Sequence, residues 1–284
     1  MSDVVVHGPA SWNLVVDLEE LPDPTPHMQF ATAHRELVGG TSAGKAAHLR
    51  DLGTDVVLHT VLGTDAAAGA IEEALLRAAI PTVATHVDGP TERHLNLMDR
   101  DGGRVSIYLD VPHAAELGES LERLLADVAR ARAVVLDLSE PSRAAIERVA
   151  ALGVPLWTDL HDYDGRSSFH APFLDAASFA FMNGDRVDSP WELLEACVTR
   201  GTEVAVCTLG AEGAIAVDAQ RVRHQVAAEP VSRVVDTNGA GDGFMAGFLA
   251  AHLDGADVPG ALRAGARQAA RALGTVQLNP ILEH

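Results

Sequence analysis

From residue 133 to residue 209 the chain repeats one pattern: a short apolar run, a helical stretch, then another such run. Residues 133–138, 154–159, 177–182 and 203–209 read as strands, and residues 142–152 and 191–200 as helices. Alternation of this kind leaves few ways to fold. The crossovers are right-handed, the strands become parallel, and helices cover the sheet on both faces. Ligands then gather beyond the carboxyl ends of the strands. Asp159 and Asn183 fall at such ends. Earlier in the chain, Val4-Val5-Val6-His7 before Gly8 and the run over 56–61 read as further strands.

A chain of 284 residues that is 47% hydrophobic can bury one large α/β domain or two small ones. Its 40 acidic residues outweigh 21 Lys and Arg, giving a net charge of −19. Such a surface argues against nucleic acid and against an anionic membrane as partners. Cys197 and Cys207 sit in neither metal nor redox spacing and have apolar neighbours, so core thiols in a reducing compartment are expected. Neither a signal peptide nor an apolar run of membrane-spanning length is evident, and a cytosolic protein is expected.

The most chemically specific stretch runs from Val234 through Asp236-Thr237-Asn238-Gly239-Ala240-Gly241-Asp242 to Phe244. Two β-branched residues lead into a small-residue turn, and the apolar run after Asp242 reads as a buried helix. Glycines leave backbone N–H groups uncovered, and at a helix N-terminus those amides bind an anion such as phosphate. Asp242 is held at the same spot. A carboxylate facing a phosphate is repulsive unless it has a task, and accepting a proton from an attacking hydroxyl is such a task.

This stretch resembles the signature of the ribokinase-like (PfkB) carbohydrate kinases, Asp-Thr-x-Gly-Ala-Gly-Asp-x-Phe. The resemblance implies an anion hole at Gly239, Ala240 and Gly241, with Thr237 beside the nucleotide and Asp242 as catalytic base. It implies ATP and Mg²⁺ as cofactors and a sugar, sugar-like or nucleoside hydroxyl as acceptor. A non-catalytic binding protein on the same fold is the rival reading. The implied fold is a single three-layer α/β domain over residues 1–284, with a mostly parallel sheet and a small β lid drawn from about 14–37 and 91–111.

Other segments fit the resemblance with departures. Asn13 stands where the family has a substrate-binding Asp; it keeps an acceptor, adds a donor and loses the charge. As a turn residue it has an equally ordinary explanation. Gly39-Gly40-Thr41-Ser42-Ala43-Gly44-Lys45-Ala46 nearly matches a Walker A loop, but Ala46 lacks the magnesium-binding hydroxyl, and 34–37 makes a poor buried strand before it. The resemblance implies instead a Gly-Gly hinge, with Gly39 and Gly40 approaching the acceptor through backbone. Gly44 replaces the family's Asn, and Lys45 follows, either as a cation in the acceptor pocket or as a surface lysine on the helix. A pocket without the Asp and with Lys45 would suit an anionic or carbonyl-rich acceptor.

Gly63-Thr64-Asp65 resembles the family's turn into a helix, read here over 70–79. Residues 91–111 alternate polar and apolar about the turn Asp99-Arg100-Asp101-Gly102-Gly103, a hairpin suited to the lid. Such a lid also offers a surface for a homodimer. Asn183 resembles the first residue of the family's Asn-x-x-Glu element, but Arg186 holds the Glu position, leaving no magnesium ligand assigned. Thr208, Gly210 and Gly213 resemble the turn laid against the nucleotide, where small residues admit close approach. The apolar, Ala-rich helix over 258–273 is expected to wall the adenine side.

Overall fold

The computed structural model describes residues 2–100, 102–113 and 118–283. The buried strand β1 (Val4–His7) opens the chain, which then leaves the main layer through β2 (Ser11–Leu18) and β3 (Ala33–Gly39). Helix α1 (Thr41–Asp51) returns it to β4 (Val56–Leu62), and α2 (Ala66–Arg77) leads to β5 (Thr82–His86). A hairpin follows, β6 (Arg93–Asp99) and β7 (Arg104–Asp110). Then helices and strands alternate: α3 (Glu119–Val128), β8 (Ala133–Leu136), α4 (Glu140–Ala150), β9 (Leu156–Asp159), α5 (Ala171–Ala176), β10 (Phe179–Asn183), α6 (Pro190–Thr199) and β11 (Val204–Thr208). Strands β12 (Ala214–Asp218) and β13 (Arg223–Val226) precede the long pair α7 (Ala240–Leu253) and α8 (Val258–Ala272).

The large sheet has nine strands in the order β13-β12-β11-β10-β9-β8-β1-β4-β5. From β11 to β5 all neighbours are parallel; β12 and β13 finish the other edge antiparallel. Alternate residues of each strand enter opposite cores. Val4, Val6, Leu58, Phe179 and Phe181 pack with residues of α1, α2, α7 and α8. Val5, Val134, Leu136, Ala180 and Met182 pack with residues of α3, α4, α5 and α6. Three layers result, as strand–helix alternation demands.

The small sheet, order β3-β2-β6-β7, is the lid. Asn13 lies opposite His94 and His94 opposite Tyr108; Asn96 lies opposite Ser106. These polar side chains share one face. Residues 34–37, a poor buried strand by sequence, belong to β3: only its last residues are buried, because its first half is a lid edge. Two helices start earlier than their apolar patterns suggest, for capping reasons. Asp65 accepts from the Ala68 amide at 3.2 Å and starts α2 at residue 66, and Ser139 accepts from Ser142 at 3.1 Å and starts α4 at residue 140. Asp101 in the hairpin turn and Leu117 lie outside the described residues.

Candidate active site

A cleft of about 1220 Å³ opens between the carboxyl ends of the parallel strands and the polar face of the lid. Its floor is the turn into α7. Gly239 takes φ 80°, and a Cβ there would meet the Leu278 carbonyl oxygen at 2.8 Å, so the left-handed turn needs glycine for two reasons. Among the described residues no side chain caps the N-terminus of α7. Gly239 and Gly241 line the cleft, and a Cβ on Gly241 would meet no protein atom within 4 Å. Backbone donors at a helix N-terminus, with open space before them, are of the kind that can bind an anion. Ala240 departs from the expected third position: its amide donates within the turn to Thr237 O at 3.4 Å, and it does not line the cleft.

Asp242, in the first turn of α7, is 9% exposed and lines the same cleft. Its Oδ1 accepts from Thr41 Oγ1 at 2.5 Å and lies 3.0 Å from Lys45 Nζ. Asp159, ending β9, and Asn183, ending β10, also reach the cleft, as strand-end residues should. Thr208, Gly210 and Thr237 line it as well. The lid contributes Glu92, His94, Asn96, Arg104, Ser106 and Tyr108. Glu92 Oε1 is 2.9 Å from His94 Nε2, and the His94 and Tyr108 rings lie 4.0 Å apart. Asn96 is 4% exposed, and its Oδ1 has no hydrogen-bond partner among the described residues. Arg104 is the one Arg or Lys among the described cleft residues, and its Nη1 donates to Asn238 Oδ1 at 3.1 Å, beside the anion turn.

The sequence matches the model of the pfkB family carbohydrate kinases over residues 173–283. It is 30% identical to the acarbose 7(IV)-phosphotransferase of Actinoplanes sp. over 268 residues, covering 93% of this chain and 90% of that protein. The chain belongs to the PfkB carbohydrate kinase family. Fructoselysine 6-kinase of Escherichia coli is 38% identical over 120 residues, 42% of this kinase and 40% of that one. A solved microbiome-derived acarbose kinase, Mak1, superposes with a TM-score of 0.86 at 30% identity, covering 96% of this kinase and 93% of that chain. Arabidopsis thaliana ribokinase, solved with ribose and ATP, shares the fold at a TM-score of 0.79 and 23% identity, covering 100% of this kinase and 99% of that chain. The protein is thus a phosphotransferase acting on a hydroxyl group of a sugar or sugar-like molecule.

Not every residue singled out from the sequence of this kinase meets the cleft. Asn13 and Gly40 do. Gly39 does not: a Cβ there would lie 2.0 Å from Asn13 Nδ2, so its role is to make room for Asn13. Asn13 is a lid-strand residue rather than a turn residue, and its Oδ1 accepts from Ser11 Oγ at 2.8 Å. Gly213 also misses the cleft; a Cβ there would sit 2.0 Å from Val226 O, so it permits β12 to meet β13. Arg186 pairs with Asp162 at 3.2 Å and is absent from the cleft wall.

Lys45 is neither a pocket cation nor a surface lysine. It is 1% exposed, does not line the cleft, and lies among Asp137, Asp159 and Asp242. Its charge is spent on those carboxylates, which removes the basis for an anionic acceptor. The lid residues Glu92, His94, Asn96 and Arg104 escaped sequence reading, although alternation of polar residues along β6 and β7 carries their signal.

Proposed function

We propose that this kinase transfers the γ-phosphoryl group of ATP to a hydroxyl of a polyhydroxylated, sugar-like acceptor, with Asp242 as general base. The observation that carries this reading is that a cleft-facing carboxylate and an uncapped glycine turn share the first turn of one helix. An acceptor hydroxyl against Asp242 is thereby adjacent to a phosphoryl group held on the amides near Gly239 and Gly241. The hydroxyl oxygen bonds to the γ-phosphorus, the bond from that phosphorus to the bridging oxygen breaks, and ADP leaves. The hydroxyl proton passes to the Asp242 carboxylate. Arg104 adds positive charge beside the turn, where the transferring group carries its negative charge.

Asn183, Thr208, Gly210 and Thr237 form the wall on which we place the nucleotide. Among the described residues no group of three or more His, Cys, Asp or Glu is placed to hold a metal alone. Mg²⁺ held mainly by phosphate oxygens needs only one or two protein carboxylates. Asp185 fits that need: it lines the cleft, and its amide is fixed by Asn183 Oδ1 at 3.1 Å. Mg²⁺ bound there neutralises phosphate charge.

On the acceptor side we place Asn13, Gly40, Glu92, His94, Asn96 and Tyr108. They offer a carboxylate, two amides, an imidazole and a phenol, a set that hydrogen-bonds hydroxyls and repels an anion. The named relatives act on acarbose and fructoselysine, which supports a sugar derivative over a sugar acid or sugar phosphate. A nucleoside is the second reading, favoured by two aromatic rings in the cleft, His94 and Tyr108, tilted by 48° to one another. ATP turnover with neutral sugars, oligosaccharides, amine-bearing sugars, sugar phosphates and nucleosides tests the assignment. Sugar derivatives are expected to be phosphorylated fastest; preference for sugar phosphates would refute it.

We further place the protein in the cytoplasm. ATP is abundant there, and burial pushes the free thiols of Cys197 and Cys207 up to about 11 and about 12, so both are inert. Among the described residues no helix is long and apolar enough to cross a membrane.

A further inference from the structure

The transfer step as described has no use for Lys45, yet the fold buries it almost completely. Burying an ammonium ion costs several kcal/mol unless opposite charge surrounds it. Three carboxylates do so: Asp137 Oδ1 at 3.0 Å, Asp242 Oδ1 at 3.0 Å and Asp159 Oδ2 at 3.3 Å. Burial alone would push the lysine toward neutrality. The charges of Asp137, Asp242 and Asp159 outweigh it and hold the pKa above its ordinary value, so Lys45 stays charged. The surroundings are equally built. Asp137 accepts from Ser42 Oγ at 2.6 Å, and Asp159 lies 3.7 Å from His161 Nδ1. One ammonium on α1 thus ties together the ends of β8 and β9 and the start of α7.

The two oxygens of Asp242 are in different situations. Oδ1 is held by Thr41 and Lys45. Oδ2 forms no hydrogen bond among the described residues and rests over Gly44, where a Cβ would come within 2.5 Å of it. Any side chain at position 44 would displace that oxygen. Gly44 and Lys45 therefore act as a pair on α1, the first clearing space for one oxygen and the second pinning the other.

We infer that Lys45 is the positioning residue of the base: it pins Asp242 Oδ1 against α1 and leaves Oδ2, in the space kept by Gly44, to take the acceptor's proton. The inference rests on the reading of Asp242 as general base. Lys45 itself touches neither acceptor nor nucleotide. Its removal should change the rate and its pH dependence while sparing substrate affinity, a split that a lysine binding substrate would not give.

The experiment uses Lys45→Met in the full chain. Its kcat should fall about 10–100-fold while both KM values stay within about threefold of wild type. The acidic limb of the kcat–pH profile should move to higher pH, because loss of a neighbouring positive charge disfavours the carboxylate. Lys45→Met/Asp137→Asn removes one positive and one negative charge together; it should show the same fall in kcat, with the acidic limb moved less because loss of the Asp137 charge favours the Asp242 carboxylate, and its kcat decides the question if the single variant does not fold. In an Asp242→Asn background, adding Lys45→Met should cost nothing more. Wild-type kcat in either folded variant, or an unmoved acidic limb in Lys45→Met, would overturn the inference, as would a further loss in the Asp242→Asn background. An Asp242→Asn enzyme with full activity would instead refute the general-base reading itself.

Discussion

His48 shows how a single buried residue fixes the wall behind the anion turn. Its Nδ1 accepts from the side-chain amides of Gln268 at 2.9 Å and Asn279 at 2.8 Å, so its proton sits on Nε2, which donates to Leu278 O at 2.9 Å. Leu278 is the residue pressed against Gly239. Burial pushes His48 down to about 4, against the opposing pull of the Leu278 carbonyl. His7, bonded to Ser142 Oγ at 2.9 Å, is pushed down to about 3 by burial and by His59. Unfolded, both imidazoles protonate near their ordinary value of 6.5. Below that pH the unfolded chain binds more protons than the folded one, so stability falls as pH drops through the window from 6.5 to about 4. Urea unfolding midpoints measured from about pH 8 to about pH 4.5 should decline through that window, and His48→Asn should lose part of the slope. Midpoints that do not vary with pH would contradict this account. At this scale the sequence was informative where the chemistry is local. Gly239, Gly241 and Asp242 lie within four residues of one another, so the turn that brings them to the cleft could be read directly. Lys45 could not be read, since its burial depends on Asp137, Asp159 and Asp242, which lie far apart in the chain.

Among the elements, the lid strands carry most of what distinguishes this cleft. Arg35 on β3 reaches Asp17 on β2 at 2.5 Å and Asp236 at 2.7 Å, so the lid is moored to the loop that leads into α7. Arg104 on β7 makes the second tie, to Asn238. On the proposed mechanism a lid held this way would exclude water from the transferring group and deliver one guanidinium to it. Arg104→Met should therefore lower kcat by about 10–10³-fold and raise the KM for ATP, with Arg104→Lys partly restoring both. Steady-state rates equal to wild type in Arg104→Met would show that the lid brings no charge to the phosphate. The elements differed in legibility for a physical reason. Strands β8 to β11 are mostly buried and read as apolar runs whose polar residues fall at their carboxyl ends. Strand β3 begins exposed at a lid edge, so its pattern is half polar and its pairing with β2 has no local signal. The parallel pairing of β2 with β6 joins strands some eighty residues apart, a distance no period in the sequence reveals.

Across the whole molecule, the lid has a second face. Val105, Ile107 and Leu109 are 41%, 44% and 49% exposed there, alternating along β7 with the residues that line the cleft. Exposed apolar side chains on one sheet face favour burial against a partner. We propose a homodimer joined through the outer lid face. Light scattering should give twice the 29.8 kDa chain mass for wild type and one chain mass for Ile107→Asp; a monomeric wild type would contradict it. The three-layer core was legible from alternation alone, whereas the cleft depends on how lid and core meet, which only the folded chain shows. The central claim is narrower: Asp242 takes the acceptor's proton. The most direct measurement is the kcat of Asp242→Asn beside its dissociation constant for ATP. Asparagine fills the same space but cannot accept that proton, so kcat should fall by about 10²–10⁴-fold with ATP affinity nearly unchanged. Undiminished turnover in a folded Asp242→Asn enzyme would contradict the account.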